Sequence, residues 1–233
     1  VMTEEYIMAI DAGTGSCRAI IFDGMGNQIS IAQKEWFHPT IPQYPGSRVF
    51  DTKTNWELIR SCIKEAMKNG DISPNHISAI SSTSMREGMV LYDQHGREIW
   101  ACPNVDSRAD KEARYLIKRG LAKRIYFKAG DWVSITAPAR FLWIKKHQPE
   151  IFKKISHVTM LSDWVLYKLS GQYVTDPSIG SSSGMFDLRK RTWSKEIIDL
   201  LGLETDIFPK VYEPGTVIGE VTRKASEEMG LKE

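Results

Sequence analysis

Tyr6-Ile7-Met8-Ala9-Ile10-Asp11-Ala12-Gly13-Thr14-Gly15-Ser16-Cys17-Arg18-Ala19-Ile20-Ile21-Phe22-Asp23 is an apolar run that reaches a carboxylate, crosses a turn of glycine and small hydroxyl residues, and enters a second apolar run. The pattern predicts strand, turn, strand, with the glycines free to take positive φ. Backbone N–H groups in such a turn can form an anion-binding nest, which Gly13, Thr14, Gly15 and Ser16 would supply. Asp11 at the strand end suits a Mg²⁺ ion held through water, because Mg²⁺ favours carboxylate oxygens and keeps several waters. Arg18 adds a fixed positive charge nearby. The chemistry implied is the handling of a nucleoside triphosphate.

Neither of the two commoner phosphate loops is present. There is no G-x-x-x-x-G-K-[ST], and no G-x-G-x-x-G opening a helix. A second strand follows the turn, so the loop joins a hairpin. An ordinary glycine hairpin would read the same way; the Asp before the turn and the Arg after it favour phosphate.

The chain has 233 residues, is 42% hydrophobic and 26% charged, and carries a net charge of +2. That composition belongs to a globular protein able to bury a large core. The charge balance singles out neither nucleic acid nor an anionic membrane. No run of 18 apolar residues and no signal peptide occurs. Cys17, Cys62 and Cys102 show no C-x-x-C spacing, and read as small core residues in a reducing cytoplasm. The dispersed histidines argue against a metal site built from His.

Three strands are expected over 6–11, 18–23 and 28–36, then an irregular loop over 38–50. A helix is expected over 51–69, with Trp56, Ile59, Ile63, Ala66 and Met67 at helical spacing, a capping box from Thr54 and Glu57, and Gly70 as its stop. Strands follow over 77–83, 89–93 and 98–102, and an amphipathic helix over 106–119. Two short helices over 138–147 and 148–155, a strand over 158–161 and a helix over 163–169 come next. The stretch 176–184 reads as a loop, 185–188 as a strand, 194–201 as a helix, 216–221 as a strand and 224–229 as a last helix. No internal domain boundary stands out. A strand meander followed by alternating helices and strands makes the fold mixed α/β.

Arg86 and Glu87 sit in a loop just after an apolar strand. Such a pair can divide a polyol between them, Arg donating to hydroxyl oxygens and Glu accepting hydroxyl protons. A surface ion pair is the plainer alternative. Asn104 and Asp106 lie between a strand and a helix and could face the same cleft, or Asp106 or Ser107 could simply cap the helix. Trp132 and Trp143 suit core or pocket wall. The serines 181–183 lack a G-x-S-x-G frame, so a hydrolase nucleophile is not expected.

Together, Asp11-Ala12-Gly13-Thr14-Gly15-Ser16-Cys17-Arg18, Thr136-Ala137-Pro138-Ala139-Arg140-Phe141-Leu142-Trp143, Asp163-Trp164-Val165, Leu169-Ser170-Gly171 and Thr175-Asp176-Pro177-Ser178 resemble the FGGY carbohydrate kinases. That family often has Lys where Arg140 stands. The segments Ser84–Gly88 and Ile99–Ala109 are most similar to the branch that phosphorylates a linear five-carbon signal derived from dihydroxypentanedione; the branches acting on xylulose and glycerol match less well there. The resemblance implies a ribonuclease-H-like fold of the actin and Hsp70 type, ATP and Mg²⁺ as phosphoryl source, and a small polyol held by Arg86, Glu87, Asn104 and Asp106. It further implies that residues 1–233 are the first of two such domains, ending before its last strands. The catalytic base, an Asp, and the ATP-binding domain are then expected beyond Glu233, leaving this stretch inactive alone. An unfinished sheet edge would favour self-association, for instance as a homodimer.

Overall fold

The structure, a computed structural model, describes residues 5–233. Strands β1 (Tyr6–Ala12), β2 (Ser16–Asp23) and β3 (Gln28–Glu35) form an antiparallel meander. Helix α1 (Thr52–Asn69) carries the chain across, and β4 (Ile77–Ser84) pairs parallel to β1, giving the order β3-β2-β1-β4. Successive residues of β1 point to opposite faces. Met8, Ile10 and Ala12 are buried, and Trp56, Ile59, Ile63 and Ala66 of α1 belong to the same core. Each large side chain in that layer contributes about 1.5–3 kcal/mol when fully buried.

Parallel pairing of β1 with β4 has the consequence that matters most. The turn after β1 and the loop after β4 leave the sheet at the same edge, and the Met85 amide donates to the Ala12 carbonyl at 2.8 Å across them. Strands β5 (Met89–Tyr92) and β6 (Glu98–Cys102) follow as a hairpin, and Met89 lies opposite Cys102. The loop entering β5 and the loop leaving β6 are therefore neighbours.

Helices α2 (Asp110–Lys118), α3 (Leu121–Ala129), α4 (Ala137–His147) and α5 (Pro149–Phe152) come next. Strand β7 (His157–Met160) then completes a three-stranded antiparallel sheet in the order β6-β5-β7. Helix α6 (Leu161–Ser170) packs back onto the first sheet, and α7 (Pro177–Ser181), α8 (Lys195–Leu201) and α9 (Arg223–Met229) complete the chain. The apolar interior forms two clusters, and β5 is shared between them. Val90 and Tyr92 belong to the first, Met89 and Leu91 to the second, as strand alternation requires.

Several local expectations change. Asp51, not Thr54, caps α1: its carboxylate accepts from the Thr54 amide and hydroxyl at 3.1 and 2.9 Å. Helix α2 begins at Asp110 with Ala109 at its cap, so neither Asp106 nor Ser107 is an N-cap. The loop 176–184 contains α7, started by Asp176 accepting from the Ser178 and Ile179 amides. Helix α3 is bounded by Gly120 and Gly130, both at positive φ. Residues 216–221 form no ladder; the segment instead helps wall a cavity of about 490 Å³ beside the open edge of β4.

Candidate active site

The turn Gly13–Ser16 closes with the Gly13 amide donating to the Ser16 carbonyl at 2.9 Å. Neither Gly13 nor Gly15 takes a positive φ, which corrects the expectation for this turn. The need for glycine is steric. A Cβ on Gly13 would lie 3.0 Å from the Ser16 carbonyl oxygen, whereas one on Gly15 would point into open space. Among the described residues, the Thr14 and Gly15 amides donate to no protein acceptor. Two unspent N–H groups in one short turn suit an anion.

Asp11 and Arg18 are cross-strand partners in the β1–β2 ladder. Arg18 Nη1 donates to Asp11 Oδ2 at 2.7 Å, and its Nε donates to Gln33 Oε1 of β3 at 2.8 Å. Arg18 thus orients Asp11 rather than extending freely over the turn. Asp11 Oδ1 lies on the Gly13 side, 3.9 Å from where a Cβ on Gly13 would stand. One carboxylate with one oxygen engaged and one on the side of the Gly13–Ser16 turn fits a Mg²⁺ ion that keeps most of its water. No group of three or more acidic, His or Cys side chains suited to a fully protein-ligated metal occurs among the described residues.

Beside this turn stands the loop after β4. Glu87 has φ +61°, an uncommon value for a residue with a side chain, and such strain persists where surrounding contacts impose it. Here the contacts are clear. The Glu87 carbonyl accepts from Arg140 Nη1, and the Glu87 amide donates to Ser182 Oγ at 3.4 Å. Next to it Gly88 is obligatory, since a Cβ would lie 2.4 Å from Leu161 Cδ1. Arg86 is exposed and Glu87 half-buried, their side chains 3.9 Å apart, too far for a tight pair. Burial pushes the Glu87 carboxyl above the usual carboxylate range; nearby Arg86 opposes this and Asp131 reinforces it.

Asn104 meets the Gly13–Ser16 turn directly. Its amide Nδ2 donates to Thr14 Oγ1 at 3.2 Å, and Thr14 Oγ1 lies 3.3 Å from its Oδ1. Asp106 comes to the same corner with its carboxylate turned inward. Oδ2 accepts from Arg108 Nε at 2.7 Å and from the Arg48 amide at 2.6 Å, and the side chain is 0% exposed. The expectation that Asp106 faces the cleft is therefore corrected by its partners: it braces the loop from below. Trp143 is buried and Trp132 half-exposed, while Ser182 and Ser183 are buried with hydroxyls donating to the carbonyls of α7.

The residue that sequence reading undervalued is Arg140. Its side chain, on the second turn of α4, is fully buried without a carboxylate partner. It donates to the carbonyls of Glu87, Pro103, Asn104 and Asp106. One planar guanidinium thereby fastens both loops in a fixed fork, a geometry that Lys cannot reproduce. Its signal was only the position within Thr136–Trp143.

The sequence model of the N-terminal domain of the FGGY family of carbohydrate kinases matches residues 6–233, and the chain belongs to that family. Autoinducer-2 kinase of Escherichia coli K12 is 44% identical over 230 residues, covering 97% of this chain and 43% of the relative. The enzyme of that name from Yersinia enterocolitica is 43% identical over the same length, again covering 97% of this chain and 44% of its own. The chain thus spans less than half the length of these relatives. Gluconate kinase from Lactobacillus acidophilus superposes with a TM-score of 0.90 at 22% identity, over 98% of this chain and 46% of the other. Plasmodium falciparum glycerol kinase gives 0.85 at 17% identity, over 98% and 47%. These neighbours share the mixed α/β kinase fold. Among the described residues, no helix is long and apolar enough to cross a membrane.

Proposed function

We propose that the protein carrying this chain transfers the γ-phosphoryl group of ATP to a primary hydroxyl of a small linear keto-polyol, and that this polyol is the dihydroxypentanedione-derived signal autoinducer-2. The observation that carries the kinase reading is the junction at the ends of β1 and β4. A turn with two unspent amides and a strained Arg86–Glu87 loop stand side by side, joined by the Met85 amide on the Ala12 carbonyl, and Asn104 reaches Thr14 from the loop after β6. The substrate assignment rests on the 44% identity to autoinducer-2 kinases across both elements.

Phosphoryl transfer asks mainly for positioning and charge neutralisation. The amides of Thr14 and Gly15 receive phosphate oxygens, with Gly13 and Ser16 shaping the turn. Asp11 would hold Mg²⁺ through water, and the ion would supply neutralisation of phosphate charge. Arg18 keeps Asp11 in place. Arg86 donates to the polyol's oxygens and Glu87 accepts its hydroxyl protons, while Asn104 orders the boundary between polyol and phosphate. Asp106 and Arg140 hold these groups from behind. This reading places the chain's ligands as a small polyol and ATP, in the cytoplasm.

The test is coupled ADP release by the full-length protein with Mg-ATP and a panel of the dihydroxypentanedione-derived signal, xylulose, ribulose and glycerol. A strong preference for the signal supports the full reading. Preference for a pentulose or glycerol keeps the kinase and overturns the substrate; no turnover with any of them overturns the kinase reading.

A further inference from the structure

The phosphate turn is held from the carbonyl side by two ring donors that follow β3. Trp36 Nε1 donates to the Gly13 carbonyl at 3.0 Å and also lies 3.3 Å from the Thr14 carbonyl. The Trp36 amide donates to the Gly15 carbonyl at 3.2 Å. His38 Nε2 lies 2.6 Å from the Thr14 carbonyl. A carbonyl can only accept, so Nε2 carries a proton here, and Nδ1 is buried without a partner. With the Ser16 carbonyl taken by the Gly13 amide, every carbonyl of residues 13–16 is engaged.

The consequence follows from the trans peptide. In each planar unit the C=O and the following N–H point in opposite directions. The Gly13 carbonyl shares its plane with the Thr14 amide, and the Thr14 carbonyl shares its plane with the Gly15 amide. These two amides are the ones with no protein acceptor. Fixing the two carbonyls therefore aims the two amides away from the rings. Both rings are seated: Trp36 meets Phe50 edge-on at 5.3 Å, and His38 stacks on Phe50 at 5.9 Å.

We infer that Trp36 and His38 are positioning residues for nucleotide binding, acting through the peptide planes of Gly13-Thr14 and Thr14-Gly15 to aim the Thr14 and Gly15 amides at a phosphate group. This rests on the reading of the Gly13–Ser16 turn as the phosphate site. The two residues touch neither ligand.

The experiment is calorimetric titration of the full-length protein with MgADP and, separately, with its polyol substrate. Trp36→Phe and His38→Phe keep a ring against Phe50 and remove one donor; His38→Gln restores a donor. The expected result is about 3- to 10-fold weaker MgADP binding for each Phe variant, the size of one neutral hydrogen bond, with polyol affinity held within about twofold and recovery in His38→Gln. Unchanged MgADP affinity in both Phe variants overturns the inference, as does a parallel loss of MgADP and polyol affinity. Gly15→Val separates the two layers, because its side chain would meet no protein atom and would stand beside the Gly15 amide itself. If Gly15→Val leaves MgADP binding intact, the phosphate reading itself fails. If it abolishes binding while the Phe variants are silent, only the role of Trp36 and His38 fails.

Discussion

Two Asp–Arg pairs of identical length stand within this site and are used in opposite ways. Asp11–Arg18 and Asp106–Arg108 both close at 2.7 Å. The first keeps 27% and 35% of its side chains exposed; the second keeps 0% and 2%. Asp11 has an oxygen beside the turn to offer. Asp106 has none: Arg108 and the Arg48 amide engage it, and the Arg108 guanidinium is itself held near Trp100 and Trp143, at 5.1 and 5.2 Å. Distance alone does not distinguish an accessible carboxylate from a bracing one. Solvent access and the remaining partners do.

That contrast can be broken by mutation. Arg108→Ala leaves the Asp106 carboxylate buried and unpaired, and is expected to cost about 3–5 kcal/mol of stability in denaturant unfolding. A loss under about 1 kcal/mol, the level of an exposed pair, would erase the distinction. Asp11→Asn should do the reverse: kcat falls about 100-fold or more, as when one charge-stabilising group is removed, while stability moves by no more than about 1 kcal/mol. Steady-state kinetics beside a thermal melt reads both.

Arg140→Met sharpens the same point for a cation with no anion. Losing its bonds to four carbonyls should cost about 2–3 kcal/mol and raise the polyol KM, while MgADP affinity stays near wild type. Arg140→Lys should recover only part of the polyol affinity, since a point charge cannot span both loops.

The smallest effect is a pH shift. Burial raises the Glu87 pKa, so on acidification the polyol KM should begin to rise at a higher pH than an ordinary carboxylate gives. The stability sign is the opposite. A raised carboxyl binds its proton more tightly when folded, so its stabilising contribution is present at low pH and is lost as pH rises through the folded value. Glu87→Gln should flatten the KM profile over this range and leave stability at neutral pH unchanged or slightly higher. A wild-type profile no different from Glu87→Gln would remove Glu87 from the polyol site.

The Asp11–Arg18 hairpin was legible because it is contiguous. Asp11 through Arg18 form one hairpin, whose strand alternation places Asp11 opposite Arg18 without help from distant residues. Arg86, Glu87 and Asn104 were legible only as types, in loops after strands. What holds them was hidden: Arg140 lies 53 residues from Glu87, and nothing local says that its guanidinium reaches back to those carbonyls. Thr54 misled for a related reason. Its spacing to Glu57 satisfied the capping pattern, but Asp51 one turn earlier had the extended backbone and the free carboxylate.

By itself, then, the sequence determined the mixed α/β class, the β1–β2 hairpin with its glycine turn, the amphipathic α1 and the resemblance to a kinase family. The class and the elements follow from short-range periodicity or from a run of adjacent residues, and the family from its resemblance in motifs spread over residues 11–178. Only the tertiary structure decided that β4 lies parallel to β1, which brings the Arg86–Glu87 loop beside the turn. It alone decided that Asp106 faces inward while Asp11 faces the turn, and that Trp36 and His38 take the turn's carbonyls. Those outcomes depend on which polar groups the fold removes from water, and a buried carboxylate or carbonyl must find its donor wherever in the chain that donor lies.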